Sequence, residues 1–92
     1  MEDGLVSVVL PAHAEAPFLP DAIESVLADL RAGDELIVVD DRLSPAARAR
    51  VNGCGDARIT VIPCEGSGLV DALNTGLRAA RHEFVARMDA DD

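Results

Sequence analysis

Three carboxylates, Asp89, Asp91 and Asp92, follow directly on the strand-like run Phe84-Val85-Ala86-Arg87-Met88. Like charges this close repel, and burying them is costly unless something pairs with them. The obvious partner for Asp89-Ala90-Asp91 is a divalent cation, because hard oxygen ligands suit Mg²⁺ or Mn²⁺. The same residues also describe a solvated acidic turn after a strand, and so short a motif matches often by chance. Which reading holds depends on what the rest of the chain brings to the same place.

Three other stretches carry polar groups at the end of an apolar run. Pro11-Ala12-His13-Ala14-Glu15 follows Leu5–Leu10, Asp40-Asp41 follows Glu35–Val39, and Cys64-Glu65-Gly66-Ser67-Gly68 follows Arg58–Ile62. Leu5–Leu10 is nearly unbroken, as a parallel strand covered on both faces should be. Between them lie helical patterns. Phe18–Leu30 places Leu19, Ile23, Val26, Leu27 and Leu30 on one stripe, with Pro17 and Pro20 near its start and Gly33 after its end. Ser44-Pro45 opens a short helix through Val51, with Ser as N-cap and Pro at the first helical position. Leu69–Arg81 has a large apolar stripe of Leu69, Leu73, Leu77 and Ala80. A neighbouring face of Ala72, Thr75, Gly76 and Ala79 is small enough to pack closely on a sheet. Glu83–Met88 is the fourth strand.

Strand and helix alternate throughout, which predicts an α/β unit with a parallel sheet and right-handed crossovers. Ligands of such sheets bind outside the carboxyl ends of the strands. Acidic groups from four loops, among them Glu15, Asp40-Asp41 and Asp89–Asp92, are therefore expected at one edge. That convergence favours the metal reading.

Composition sets the outer limits. Ninety-two residues make one domain at most. A hydrophobic content of 49% is too high for a disordered chain. Aromatics are 2%, leaving little for base stacking, and a net charge of −9 gives no basic footprint for nucleic acid. A metal ion would still let so acidic a chain hold an anionic ligand. Two cysteines, Cys54 and Cys64, make no disulfide framework. They flank the third strand, whose span of about 20 Å at ~3.3 Å per residue far exceeds the ~7 Å a disulfide allows. No run reaches membrane-spanning length and the N-terminus has no signal pattern, so a reducing, cytoplasmic compartment is the default, including the inner face of a membrane.

The first strand is not followed by Gly-x-Gly-x-x-Gly, nor does Gly-x-x-x-x-Gly-Lys occur, which excludes the usual dinucleotide and nucleoside triphosphate loops. Receiver domains carry acids after the first strand, where this chain has Pro11-Ala12. Taken together, four stretches resemble the nucleotide-binding half of a family 2 glycosyltransferase of the GT-A fold. They are Val6–Ala12 with Glu15, Glu35–Asp41, Gly68-Leu69 through Leu77, and Glu83–Asp92. Each is weak alone, but their order and spacing agree across nearly the whole chain.

The resemblance implies a Rossmann-like parallel, doubly wound sheet in the order 3-2-1-4, truncated after the fourth strand, in a single domain over residues 1–92 that is incomplete relative to the family. It implies a nucleotide-diphosphate sugar as donor, a UDP-sugar first, with inversion at the transferred sugar. Pro11, Ala12 and His13 would form a turn that cradles the base, and Glu15 would approach the base or ribose. Asp41 would accept a ring N–H, and Asn74 would face the same site. Asp89 would face the ribose and sugar, and Asp91 would hold the Mg²⁺ or Mn²⁺ that bridges the diphosphate. The family's general base lies downstream of the Asp-X-Asp, so no catalytic residue is assigned. The fourth strand, bordering the absent half, is expected to leave an open edge that invites self-association, with Phe84, Val85 and Met88 exposed.

Plainer roles stand beside these. Asp40 fits a strand-end residue that caps the next turn, and Asp92 a supporting position. His13 also suits a solvated loop, Glu15 the positive end of the following helix, and Asn74 a bond to a loop carbonyl. The chain also departs from the family: Arg42-Leu43 stands where Gly-Ser commonly follows the two acids, and His82 where Gly precedes Glu83. Rival classes are a noncatalytic nucleotide or metal-binding module and a GT-A-like sugar nucleotidyltransferase, which would need a Gly-rich basic loop after the first strand. A Toprim-type nuclease also combines Glu with Asp-X-Asp, and the net charge argues against it.

Overall fold

In the computed structural model, residues 4–88 are described. They form β1 (Val6–Ala14), α1 (Leu19–Asp29), β2 (Glu35–Leu43), α2 (Pro45–Asn52), β3 (Ile59–Pro63), α3 (Gly68–Ala79) and β4 (Phe84–Arg87). The four strands make one sheet in the order β3-β2-β1-β4, and every neighbouring pair is parallel. This is the order and architecture expected of a GT-A half-sheet.

The side chains of each strand alternate between the two faces. On one face Val8, Leu10, Ala12, Leu36 and Val38 pack under Leu19, Ile23 and Val26 of α1 and Ala47 and Val51 of α2. On the other, Val9, Ile37 and Val39 pack under Ala72 of α3. Helices thus cover both faces, and Val9, Leu10, Leu36, Ile37, Val38 and Val39 are all buried to within 1%. That double cover is why the strands read as apolar runs without alternation.

The structure sharpens three details of the sequence reading. First, β1 does not stop at Pro11. It runs on to Ala14, and β2 runs on to Leu43, with Pro11 opposite Val39, Ala12 opposite Asp40 and His13 opposite Asp41. Pro11 is tolerated because bonding alternates along a parallel strand. Val9 bonds toward β4, accepting from the Met88 N–H at 3.0 Å, and Pro11 shares its side. The missing N–H therefore costs the β1–β2 ladder nothing.

Second, the face of α3 that packs on the sheet is the small one, as its residue sizes allow, except that Ala79 is exposed and Leu73 of the large stripe is partly buried against the same core. Leu69 and Leu77 are half exposed, while Ala72, Thr75 and Gly76 are buried. The small face wins because the helix lies so close. A Cβ on Gly76 would stand 2.3 Å from Cγ1 of Val9. Gly76→Ala is therefore expected to destabilise the chain by roughly 1–3 kcal/mol through overpacking against a stiff, buried valine. That outweighs the ~1 kcal/mol gained in helix propensity. Thermal melts of Gly76→Ala, Val9→Ala and the double variant check this. The double variant should lose less than the sum, and a Gly76→Ala chain as stable as its parent would contradict the close approach.

Third, Met88 is not part of the exposed fourth strand. It packs against the core under α1 and α2. The four residues of β4 itself are all exposed, with Phe84 at 58% and Val85 at 39%, and among the described residues β4 pairs only with β1. Cys54 and Cys64 are both free thiols. Among the described residues no helix is long and apolar enough to cross a membrane.

Candidate functional site

The carboxyl edge of the sheet is assembled around Asp41. Its carboxylate is only 4% exposed, and it reaches across to the start of α3, where the Gly68 N–H donates to Oδ2 at 2.9 Å. The helix needs this, because its own N-cap residue, Ser67, makes no side-chain capping bond. A carboxylate on the first N–H of a helix satisfies an orphan donor and meets the positive end of the helix dipole. The other oxygen, Oδ1, accepts from Nε of Arg42 at a long 3.3 Å. Asp41 thus ties the end of β2 to the helix on the far face of the sheet.

The loop between β3 and α3 is fixed from the helix side. Ser67 N–H donates to Asp71 Oδ2 at 3.0 Å, and the Glu65 N–H donates to Thr75 Oγ1 at 3.0 Å. The Thr75 hydroxyl in turn donates to the Asp71 carbonyl at 2.7 Å. Gly66 has φ +102°, and a side chain there would run into the Asp71 carboxylate.

Asp40 does what a strand-end residue does. Oδ1 accepts from the Leu43 N–H at 2.9 Å, and Oδ2 accepts from Nε of Arg48 at 2.7 Å. Burial pushes its carboxyl pKa up, but the Arg48 guanidinium and the Leu43 N–H outweigh that and leave it below the usual value. Its backbone carbonyl accepts from the Cys64 N–H at 2.9 Å, closing β3 onto β2.

On the β1 side, Glu15 is held by the second helix and not by the one that follows it. Ser44 Oγ donates to Glu15 Oε1 at 3.0 Å and accepts from the Ala47 N–H at 3.1 Å. The Ser44 N–H donates to the Ala14 carbonyl at 2.9 Å, and Arg50 donates to the Glu15 carbonyl at 3.3 Å. One serine is therefore both the cap of α2, as its place before Pro45 predicts, and the anchor of the β1 loop.

This edge is also where the backbone is strained. Ala14, Ala16 and Arg42 have φ of +60°, +41° and +60°. Such values cost a non-glycine residue about 1–2 kcal/mol each and gather at ligand sites and switches. Ala14 and Arg42 flank the irregularity where β1 and β2 fall out of register, with His13 opposite Asp41 but Ala14 opposite Leu43. Arg42 replaces the family's glycine yet keeps the left-handed conformation glycine would adopt freely.

The structure therefore brings together His13, Glu15 and Asp41, with Pro11 and Ala12 leading into them within β1 and not as a separate turn. His13 and Glu15 are exposed, and Ala12 is buried. Asn74 stands apart, exposed midway along α3, about 9 Å from Gly68 at ~1.5 Å per residue. Asp89, Asp91 and Asp92 lie outside the described residues. Arg42, Ser44 and Arg48 were missed as participants. Ser44 before Pro45 was a local signal, whereas nothing local marks the other two. Among the described residues no three His, Cys, Asp or Glu side chains lie close enough to hold a metal ion. Both oxygens of Asp40 and of Asp41 already accept hydrogen bonds, so these acids serve the fold.

Comparison with known proteins agrees with this fold. The chain is 37% identical over 93 residues to the UDP-Glc:alpha-D-GlcNAc-diphosphoundecaprenol beta-1,3-glucosyltransferase WfgD of Escherichia coli. The match covers all of this chain and 37% of that protein. It is 36% identical over 88 residues to the succinoglycan biosynthesis protein ExoO of Rhizobium meliloti, covering 95% of this chain and 25% of that one. The chain thus spans about a quarter to a third of the length of these relatives. Among solved structures it resembles the mannosyltransferase PcManGT from Pyrobaculum calidifontis, determined with GDP-Man and Mn²⁺. The TM-score is 0.79 at 31% identity, over 94% of this chain and 27% of that one. The model of the family described as Glycosyl transferase family 2 matches residues 7–92, and the chain belongs to that family.

Proposed function

We propose that this chain is the donor-binding part of a metal-dependent glycosyltransferase that moves a sugar, with inversion, from a nucleotide-diphosphate sugar to an acceptor. The observation that carries the reading is the Asp41 junction. It sets a buried acceptor beside the ends of β1 and β2 and the N-terminus of α3, on the edge where parallel sheets bind ligands. Asp41 accepts a ring N–H of the base. His13 and Glu15 border the same edge, and Pro11 and Ala12 bring β1 to it.

The donor's base is one with an N–H next to a carbonyl. Uracil, of the UDP-Glc named for the Escherichia coli relative, and guanine, of the GDP-Man in the Pyrobaculum structure, both have that edge. A UDP-sugar is the first candidate. Asp89 and Asp91 supply two hard carboxylate donors, the chemistry that Mg²⁺ or Mn²⁺ prefers. The bound ion would neutralise charge on the departing nucleoside diphosphate. The Mn²⁺ in the Pyrobaculum complex supports this choice.

Titration calorimetry tests the reading. UDP or GDP should bind with Mn²⁺ or Mg²⁺ present, and EDTA should remove most of the heat. Asp91→Asn should weaken binding at least tenfold in Mn²⁺. Equal binding with and without EDTA would refute the metal's role.

A further inference from the structure

We propose that Arg42 is a specificity-determining residue of the donor site: its guanidinium reads the carbonyl beside the ring N–H that Asp41 accepts, so the pair selects keto bases over amino bases. The inference rests on the donor-binding reading above and deepens it.

Three observations point to Arg42. Its guanidinium is exposed and only Nε is engaged, on Asp41 Oδ1 at 3.3 Å. That distance is long for a hydrogen bond, so a ligand N–H can take the guanidinium's place at little cost. The two terminal nitrogens donate to no described residue. The other arginines of this edge are committed, Arg48 to Asp40 and the Leu43 carbonyl, and Arg50 to the Glu15 carbonyl. Finally, the backbone at Arg42 is held left-handed, with φ +60°, at the register break opposite His13 and Ala14. Strain of this kind persists where the surrounding ladder imposes it.

The result is an acceptor and a donor side by side. A carboxylate has no proton to give, and a guanidinium has no lone pair to accept with. Uracil and guanine present an N–H and an adjacent C=O, which match in that order. Cytosine and adenine present a ring nitrogen lone pair and an adjacent NH₂, which mismatch at both positions. The lone pair would face the carboxylate, and the amino group would face the guanidinium.

Calorimetry in Mn²⁺ with UDP, GDP, CDP and ADP tests this on the full chain. UDP or GDP should bind at least about tenfold tighter than CDP and ADP, the discrimination expected of a good two-bond pair. Arg42→Gly suits the left-handed backbone and should fold, which a thermal melt checks. It should cut that preference about fivefold, and Arg42→Lys, with a single point donor, should fall between. Equal binding of all four by the parent chain, or an unchanged preference in Arg42→Gly, would overturn the role of Arg42 while leaving donor binding intact. Failure of all four to bind would overturn the donor-site reading and this proposal with it.

Discussion

Glu35→Ala should cost this chain roughly 3–5 kcal/mol, about half of what a domain of its size is expected to have. Glu35 opens β2 at the amino edge of the sheet and is 3% exposed. Its Oε2 accepts from Ser7 Oγ at 2.6 Å and from the Arg81 N–H at 2.7 Å, and its Oε1 accepts from Arg81 Nε at 3.0 Å. Ser7, fully buried, accepts in turn from the His82 N–H at 3.1 Å. His82 Nε2 sits 2.8 Å from the Gly33 carbonyl, which can only accept, so that nitrogen carries the proton. One carboxylate therefore joins the first residues of β1 and β2 to the turn that feeds β4.

Arg81 is largely exposed, so its charge is screened and adds little. The loss comes instead from hydrogen bonds to an ionised acceptor, about 1.5–3 kcal/mol each, and from the buried Ser7 hydroxyl left without one. Glu35→Gln keeps one acceptor oxygen and should lose about half as much. Urea unfolding monitored by circular dichroism checks both. A midpoint that falls with an unchanged slope would assign the loss to the folded state. A loss below ~1 kcal/mol for Glu35→Ala would mean water replaces the carboxylate. Because the cluster lies at the edge opposite Asp41, nucleotide affinity of the folded fraction should hold.

The order of elements was legible in the chain because double cover leaves a local mark. Leu36–Val39 is apolar at every position only if both faces are buried, and Leu19, Ile23 and Val26 repeat only as a helix would. Register and length were not legible in the same way. Nothing within Pro11–Ala14 tells that it pairs with Val39–Leu43, since the ladder that extends β1 is formed with residues 28 or more positions away. The face of α3 is legible only through the size of its residues. Periodicity marks two candidate faces, and the choice between Leu69-Leu73-Leu77 and Ala72-Thr75-Gly76 is made by how near the sheet stands.

The site was legible in its composition and hidden in its wiring. Asp41 stands out as an acid at a strand end, but its bond to Gly68 joins two loops with no common pattern. Arg42 looked like the loss of a useful glycine. In the structure it holds the glycine's conformation and adds a charge beside a buried acceptor. Asp34 and Glu35 passed unnoticed as the polar start of a strand. Their importance comes from partners elsewhere in the sheet and its loops.

Acid should undo this fold between about pH 4.5 and pH 2. Burial pushes the Glu35 carboxyl up, but the bonds from Ser7 and Arg81 overcome it, and its pKa lies below the usual value. The Arg31 and Val6 N–H groups hold Asp34 down to about 2, and the side chain and N–H of Arg58 do the same for Asp56. Asp40 is lowered as well. In the unfolded chain these groups titrate near 4. Below that pH the unfolded chain takes up protons that the folded chain resists. Their contribution is complete above about pH 4.5 and drains away as pH falls through the folded values. The net charge of −9 works the other way, since protonating unpaired acids relieves repulsion. Melting temperature should therefore be level from pH 7 to 5 and fall steeply toward pH 2. Asp34→Asn isolates one part of this. It removes the charge that ties Arg31 and the first residue of β1 to the loop before β2. The variant should melt lower than its parent at pH 7 and lose less on acidification, so that the two curves converge near pH 2. Parallel curves over the whole range would show that Asp34 titrates alike in both states and that the acid lability arises elsewhere.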